Sequence, residues 1–471
     1  MKKQIIIAGM ALCLFSPGLL RGQETGLLRL NPDRPEVQGE AAVWGGIEEG
    51  GFRPTNAASF LWKAGAGAQG VLHGDNVSWT GAISFEQMTG KNMGASMFLE
   101  PGYFPVDLME LTKGTKSRQT GQVEAGFLAD LGYEWAAGVK ASFKAANSLK
   151  QRNLHHSAFG MDMQVEPVIT YVMDDNMGFV SSYHFRLRTE RIKVGNDVED
   201  ANRVFLDEGM RYGVYADDLT VFPVREFSHG FNELFQSPEL TMGLGLTWKR
   251  GQADNRFKFP GSTINAFFGQ TFLADNLDHV YRIAYLRERD QLRASVPSEE
   301  GGTAGYQSAS DRIRRNLNLQ YEIRFIRGLV KNVGVDVDAS KWNERSMMRL
   351  AFMDGSRRYT GSATLHSSLS YGAFDLDVNL LAARGWWREH GYNRESDGTG
   401  NLPARQLDDW RRNMDYCMSP RMGMGGSLTG RIPAVKGLYL QLYAYWHHAF
   451  AVSCLPGKNR EIVTLKAGYN F

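Results

Sequence analysis

The side chains able to do chemistry in this 471-residue chain are scattered along it, with no compact motif. His155 and His156 are neighbours, as are His447 and His448, and His366 stands beside serines. A nucleophilic serine or a water-activating acid needs a base within hydrogen-bond reach, and no G-x-S-x-G run supplies one locally. No catalytic residue is assigned, and a hydrolase working at the rim of the fold is the least favoured of three functional readings. Of the three cysteines, Cys13 lies in the first apolar stretch, while Cys417 and Cys454 flank one expected strand pair. That placement makes Cys417 and Cys454 a disulfide candidate in an oxidising compartment. Their spacing is not that of a metal site. Neither a cofactor nor a metal is expected, although Asp336, Asp338, Asp375 and Asp377 carry the hard oxygen ligands that calcium takes. An acidic wall accounts for them more simply.

The charged residues fall at every second position. His184, Arg186 and Arg188 alternate with Tyr183, Phe185 and Leu187, and Arg314, Glu322 and Arg324 share a face opposite Leu317, Leu319, Tyr321 and Ile323. With the four aspartates they are candidates to line the inside of a closed sheet. Two readings stay open there. Basic and acidic walls could face each other across a polar lumen and filter solutes, or the charges could pair across strands and fill the interior.

Elements with a period of two must position these residues, and that period runs through the chain. Val77, Trp79, Ile83 and Phe85 share one face; so do Val123, Ala125, Phe127, Ala129 and Leu131, and Ile313 to Phe325 alternates apolar with polar. This is strand periodicity. Many stretches run ten residues or more, the length of a tilted membrane-spanning strand, beyond the ~5 to 6 residues of a sandwich strand. Tight connections at 173–177, 273–277, 327–331 and 433–437 interleave with long polar ones at 88–120, 192–221, 291–312 and 385–418. Short turns on one side and long loops on the other predict an all-β fold, a transmembrane antiparallel β-barrel of about 18 strands with a range of 14 to 18. Trp386, Trp387, Tyr445 and Trp446 read as interfacial girdle residues. The run 97–106 is too apolar for a solvated loop, so Phe98, Tyr103 and Phe104 are candidates for a constriction folded into the lumen or the lining of a surface pocket, or else for packing between loops.

Composition agrees. The 53 basic residues against 51 acidic ones exclude a basic nucleic-acid arm, and 26 Phe, 18 Tyr, 10 Trp and 52 Gly with 15 Pro suit a large β unit. Lys2 and Lys3 before the apolar stretch Ile5–Phe15, followed by Ser16, Gly18 and Gly22, read as a secretory signal peptide over 1–22. A short periplasmic segment over 23–38 and a barrel over 39–471 follow. Residues 23–38 are too few for the plug of an energy-coupled receptor. The ending Val463, Leu465, Ala467, Tyr469, Phe471 resembles the C-terminal signal read by the barrel-assembly machinery.

Gly51-Phe52-Arg53-Pro54, Pro101-Gly102-Tyr103-Phe104-Pro105 and Gly468-Tyr469-Asn470-Phe471 resemble motifs of an uncharacterised family of outer-membrane β-barrel proteins of Gram-negative bacteria. The resemblance implies the fold and the cell outer membrane, and no substrate. The function expected is a passive channel or transporter for a polar or amphipathic solute. The alternative is a closed structural or binding barrel whose outer loops contact a partner or surface polymer. Expected partners are outer-membrane lipid, the barrel-assembly machinery and an unknown solute or surface partner, with no nucleic acid.

Overall fold

A strand whose outer face meets lipid must give every backbone N–H and C=O to a neighbouring strand, so a spanning sheet has to close on itself. The computed structural model, which describes residues 37–74, 76–132, 134–150, 154–174, 177–195, 204–207, 213–216, 219–274, 276–297, 303–349, 352–390 and 404–471, closes in this way. The expected signal peptide, Cys13 and residues 23–36 lie outside the described residues.

In chain order the strands are β1 (Val37–Gly50), β2 (Phe60–His73), β3 (Val77–Ser96), β4 (Asp107–Gly132), β5 (Trp135–Lys150), β6 (His156–Asp174), β7 (Met177–Val194), β8 (Val204–Asp207), β9 (Gly213–Tyr215) and β10 (Val221–Gln236). They continue as β11 (Leu240–Ala253), β12 (Phe257–Leu273), β13 (Leu277–Pro297), β14 (Thr303–Phe325), β15 (Val330–Arg349), β16 (Phe352–Tyr371) and β17 (Phe374–His390). Helix α1 (Ala404–Met418) precedes β18 (Arg421–Arg431), β19 (Leu438–Ala449) and β20 (Asn459–Asn470). Neighbours pair antiparallel, β7 pairs with β10, and β1 pairs with β20 from Glu40 opposite Asn470 to Gly50 opposite Arg460. The short strands β8 and β9 stand apart as a hairpin against the start of β4. The remaining 18 strands form the barrel, the number expected from the sequence. Its first strand starts at Val37, two residues before the boundary placed at 39.

The outward face explains where this barrel sits. Val43 and Ile47 on β1, Ile83 and Phe85 on β3, and Leu365 on β16 are all exposed, as are Leu376 and Leu380 on β17. A closed barrel with an apolar outer surface is a bacterial outer-membrane protein, with its tight turns on the periplasmic side.

The long outer connections are shorter than the sequence suggested. Of 88–120, β3 and β4 claim all but 97–106, and β13 and β14 reach into 291–312. Apolar alternation stops at the lipid boundary, whereas pairing goes on in water: on β4 the outward row runs from Phe127 and Val123 to Gln119 and Ser117 without a break in the ladder. Periodicity marks the lipid-facing stretch, and the strand is longer than that stretch.

Candidate functional site: the barrel lumen

The inner wall is built on one repeated local device. A long inward side chain lies flat across a glycine on the next strand and meets a carboxylate one strand further. In the register row Glu322–Gly334–His366, the imidazole covers Gly334, where an added Cβ would come within 2.4 Å of Nε2. His366 Nε2 stands 3.6 Å from Glu322, and its Nδ1 3.4 Å from Asp336. In the row Trp44–Gly65–Glu86 the indole covers Gly65 and donates from Nε1 to Glu86 at 3.2 Å. In Lys249–Gly261–Asp290 the lysine does the same at 2.5 Å. Tyr445 lies along β18 over Gly423 and Gly425, parallel to Tyr443 within 7°.

Among the described residues, the connection between β3 and β4 packs against the inner wall, in one cluster with Val204 and Leu206 of β8. Residues 97–106, between β3 and β4, fold inward, burying Met97, Phe98, Leu99, Phe104 and Val106 in a cluster with Ile192, Phe222, Phe257, Phe259 and Leu292 of the wall. Phe104 meets Phe98 at 5.4 Å and Phe259 at 5.7 Å between ring centroids. Polar contacts fix its backbone: Glu190 accepts from the Leu99 N–H at 2.6 Å, and Arg118 donates to the Leu99 carbonyl at 2.8 Å. Arg312 donates to the carbonyls of Gly102, Tyr103 and Phe104 while holding Asp290 at 2.9 Å. Tyr103 donates to Glu226 at 2.7 Å, and the Arg188 guanidinium lies 3.7 Å over its ring.

This setting shifts the segment's own titrations. Burial works against the Glu100 carboxylate, but Arg188 at 2.9 Å and Lys144 at 3.0 Å outweigh it and hold its pKa down to about 2. Burial, then the Glu226 carboxylate, pushes the Tyr103 phenol up.

The candidate lining residues all face inward, and most have local partners. Arg186 pairs with Asp162, and Arg188 with Glu100. Arg324 bonds Glu322, and Arg314, which is exposed to the lumen, lies 3.7 Å from Glu288. His184 lies 3.2 Å from the Thr247 hydroxyl. The four aspartates do not gather. Asp336 is level with Thr364 and then with Leu381, four residues from Asp377, or ~13 Å along the strand. Asp338 accepts from Asn318, Asp377 from Ser368 and Ser427, and Asp375 from Arg431. Among the described residues, no group of three His, Cys, Asp or Glu side chains is placed to hold a metal ion.

The outer rim departs from two expectations. Cys417 and Cys454 are free thiols rather than a bonded pair. Asp415 of α1 faces the β19–β20 connection and accepts from the N–H groups of Ser453, Cys454 and Leu455. At about 100° per residue Cys417 then points roughly 200° away from it. Its backbone lies against Gly385 on β17, and burial pushes its thiol up. Of the expected girdle residues, Trp386 and Trp446 face outward, whereas Trp387, opposite Arg358, and Tyr445, opposite Gly425, face the lumen. The sequence alternates here between two aromatic faces, and register alone tells them apart.

No protein-family model matches the chain, and no curated protein matches it in sequence. Among solved structures it is similar to the FrpB iron transporter from Neisseria meningitidis, F3-3 variant, at 7% identity and a TM-score of 0.47 over 95% of this chain and 83% of that one. It is also similar to BauA, the ferric preacinetobactin receptor from Acinetobacter baumannii, at 6% identity and TM-score 0.41, covering 93% and 80%. The copper transporter OprC matches at 8% identity and TM-score 0.42, covering 92% and 80%. Likenesses this distant say nothing of cargo.

Proposed function

We propose that the protein is a passive channel or transport barrel of the outer membrane for a polar or amphipathic solute, with residues 97–106 as its constriction. The observation that carries this reading is that inward-facing side chains of the barrel remain in contact with solvent. Asp338, Arg314 and Tyr443 all point inward and are exposed, Tyr443 by 36%. The polar hydroxyls of β16 and the paired ring faces of Tyr443 and Tyr445 border the same space, which suits a solute with both polar and apolar surface. The reading involves no chemical step on the solute.

The test is swelling of liposomes that carry the folded barrel, in isotonic solutions of uncharged sugars of increasing size. Uptake that falls off with sugar size supports a sieving lumen. Rates no faster than protein-free liposomes, from barrels shown to be folded, contradict it and favour the second reading: an interior closed by its own ion pairs. The paired charges on β4 to β7, and Arg188 with Glu100 of the inward segment, are the observation on that side.

A further inference from the structure

Going up the outside of β13, β14 and β15, the apolar face ends at Tyr285, Leu317 and Ala339, and the next outward residues are Arg287, Arg315 and Lys341. These three cations share one register row, Arg287 opposite Arg315 and Arg315 opposite Lys341. The row continues through Tyr359 to Trp386, whose rings stack at 5.9 Å and 14° on the outer surface. Outward Tyr and Trp collect at the membrane–water interface, so the cations stand at headgroup level on the outer leaflet. Two residues higher, Arg357 lies directly opposite Arg388, both outward.

Like charges placed directly opposite on neighbouring strands destabilise a sheet. Here two such contacts follow one another along a single row. On this face Asp311 pairs with Arg289 at 3.1 Å. Among the described residues no carboxylate pairs with Arg287, Arg315 or Lys341. A row of cations with no acid of its own, set at the level of lipid phosphates, needs anions from outside the chain.

We propose that Arg287, Arg315 and Lys341, with Arg357 and Arg388 above them, form a docking site for the phosphates of an acidic saccharolipid of the outer leaflet, of the lipid A type. Guanidinium groups take phosphate oxygens in pairs. The exposed apolar residues just below, Ile283, Leu319 and Val337, offer a surface to the acyl chains that a free phosphate ion cannot use. The site is independent of any solute path through the lumen.

The experiment is native mass spectrometry of the full barrel in detergent, titrated with bisphosphorylated lipid A, with the same lipid stripped of both phosphates, and with inorganic phosphate as competitor. Wild type is expected to bind the bisphosphorylated lipid at least about tenfold more tightly than the stripped one, the scale of one or two charge-assisted bonds. The triple change R287Q, R315Q, K341Q removes that preference. Equal binding of the two lipids, or an unchanged preference in the triple variant, overturns the proposal. Displacement by millimolar inorganic phosphate overturns the lipid source and leaves an anion site. If the triple variant does not fold, the comparison of the two lipids on wild type and on Arg315→Gln alone still decides.

Discussion

From β4 to β14 many inward polar side chains are buried: Lys140, Glu166, Ser182, His184, Arg188, Glu226, Arg282 and Gln320 are all under 10% exposed, while Arg314 towards the outer end of β14 is exposed. From β15 through β20 to β3 they are mostly half-buried or exposed, as at Asp338, Asp377, Asn379, Gln69 and Tyr443. Both halves belong to one closed sheet with the same outward apolar face. They differ in what stands against the wall. In the first, residues 97–106 supply apolar rings and backbone carbonyls to the side chains around them; side chains lying over wall glycines occur in both, Lys249 over Gly261 in the first and His366 over Gly334 in the second. The barrel is closed by its sheet, and residues 97–106 pack against the inner wall of one half.

Removing that segment tests the contrast with the largest expected effect. Replacing 98–105 by two glycines should raise conductance at least about twofold, since 18 strands enclose a lumen wider than side chains can fill. An unchanged conductance means that the wall of the packed half is itself the barrier. In the other half, Gly334→Leu should lift His366 off the wall and destabilise the barrel by about 1–3 kcal/mol, as overpacking does. The readouts are the unfolding midpoint in denaturant and a lower conductance. Tyr103→Phe removes the bond to the buried Glu226 carboxylate and is expected to cost about 1.5–3 kcal/mol, the range for a hydrogen bond to a charged group. Its effect should be confined to the packed half, leaving the conductance of an open lumen within about twofold.

A pH titration sharpens the comparison further. Glu100 is held at about 2, below its ordinary value, so its attraction to Arg188 and Lys144 is fully present above about pH 4.5 and is lost as pH falls through 2. Channel noise from a loosened segment should therefore grow across that window in wild type and be pH-independent there in Glu100→Gln. The smallest effect belongs to the rim: Cys417→Ser and Cys454→Ser should each change stability by less than about 0.5 kcal/mol. Reduced and unreduced samples should co-migrate on a gel, since neither thiol is bonded.

The strands, their number and the periplasmic turns were legible because lipid imposes an alternation that nothing on the polar side disguises. The strand ends above the membrane were not, since Gln119 and Ser117 pair as well as Phe127 does but carry no apolar signal. The inward charges could be placed on a face from a single strand, but their partners could not. Whether Arg186 meets Asp162, or His366 reaches Glu322 across Gly334, depends on register between strands far apart in sequence. For the same reason the glycine-backed rings carry no signal within a single strand, and Tyr445 reads from its own strand as a membrane-interface residue. A signal lies in Gly425, which faces Tyr445 across the 432–437 turn, with Gly423 beside it to leave room for the same ring.

The most direct test of a lumen narrowed from one side is single-channel recording of the purified, folded barrel in a planar bilayer, before and after Arg314→Gln. The account predicts stable ohmic steps whose ion selectivity moves toward cations when that exposed, lumen-facing arginine is neutralised. Folded barrels that insert and give no steps would contradict it, and so would steps whose selectivity ignores Arg314.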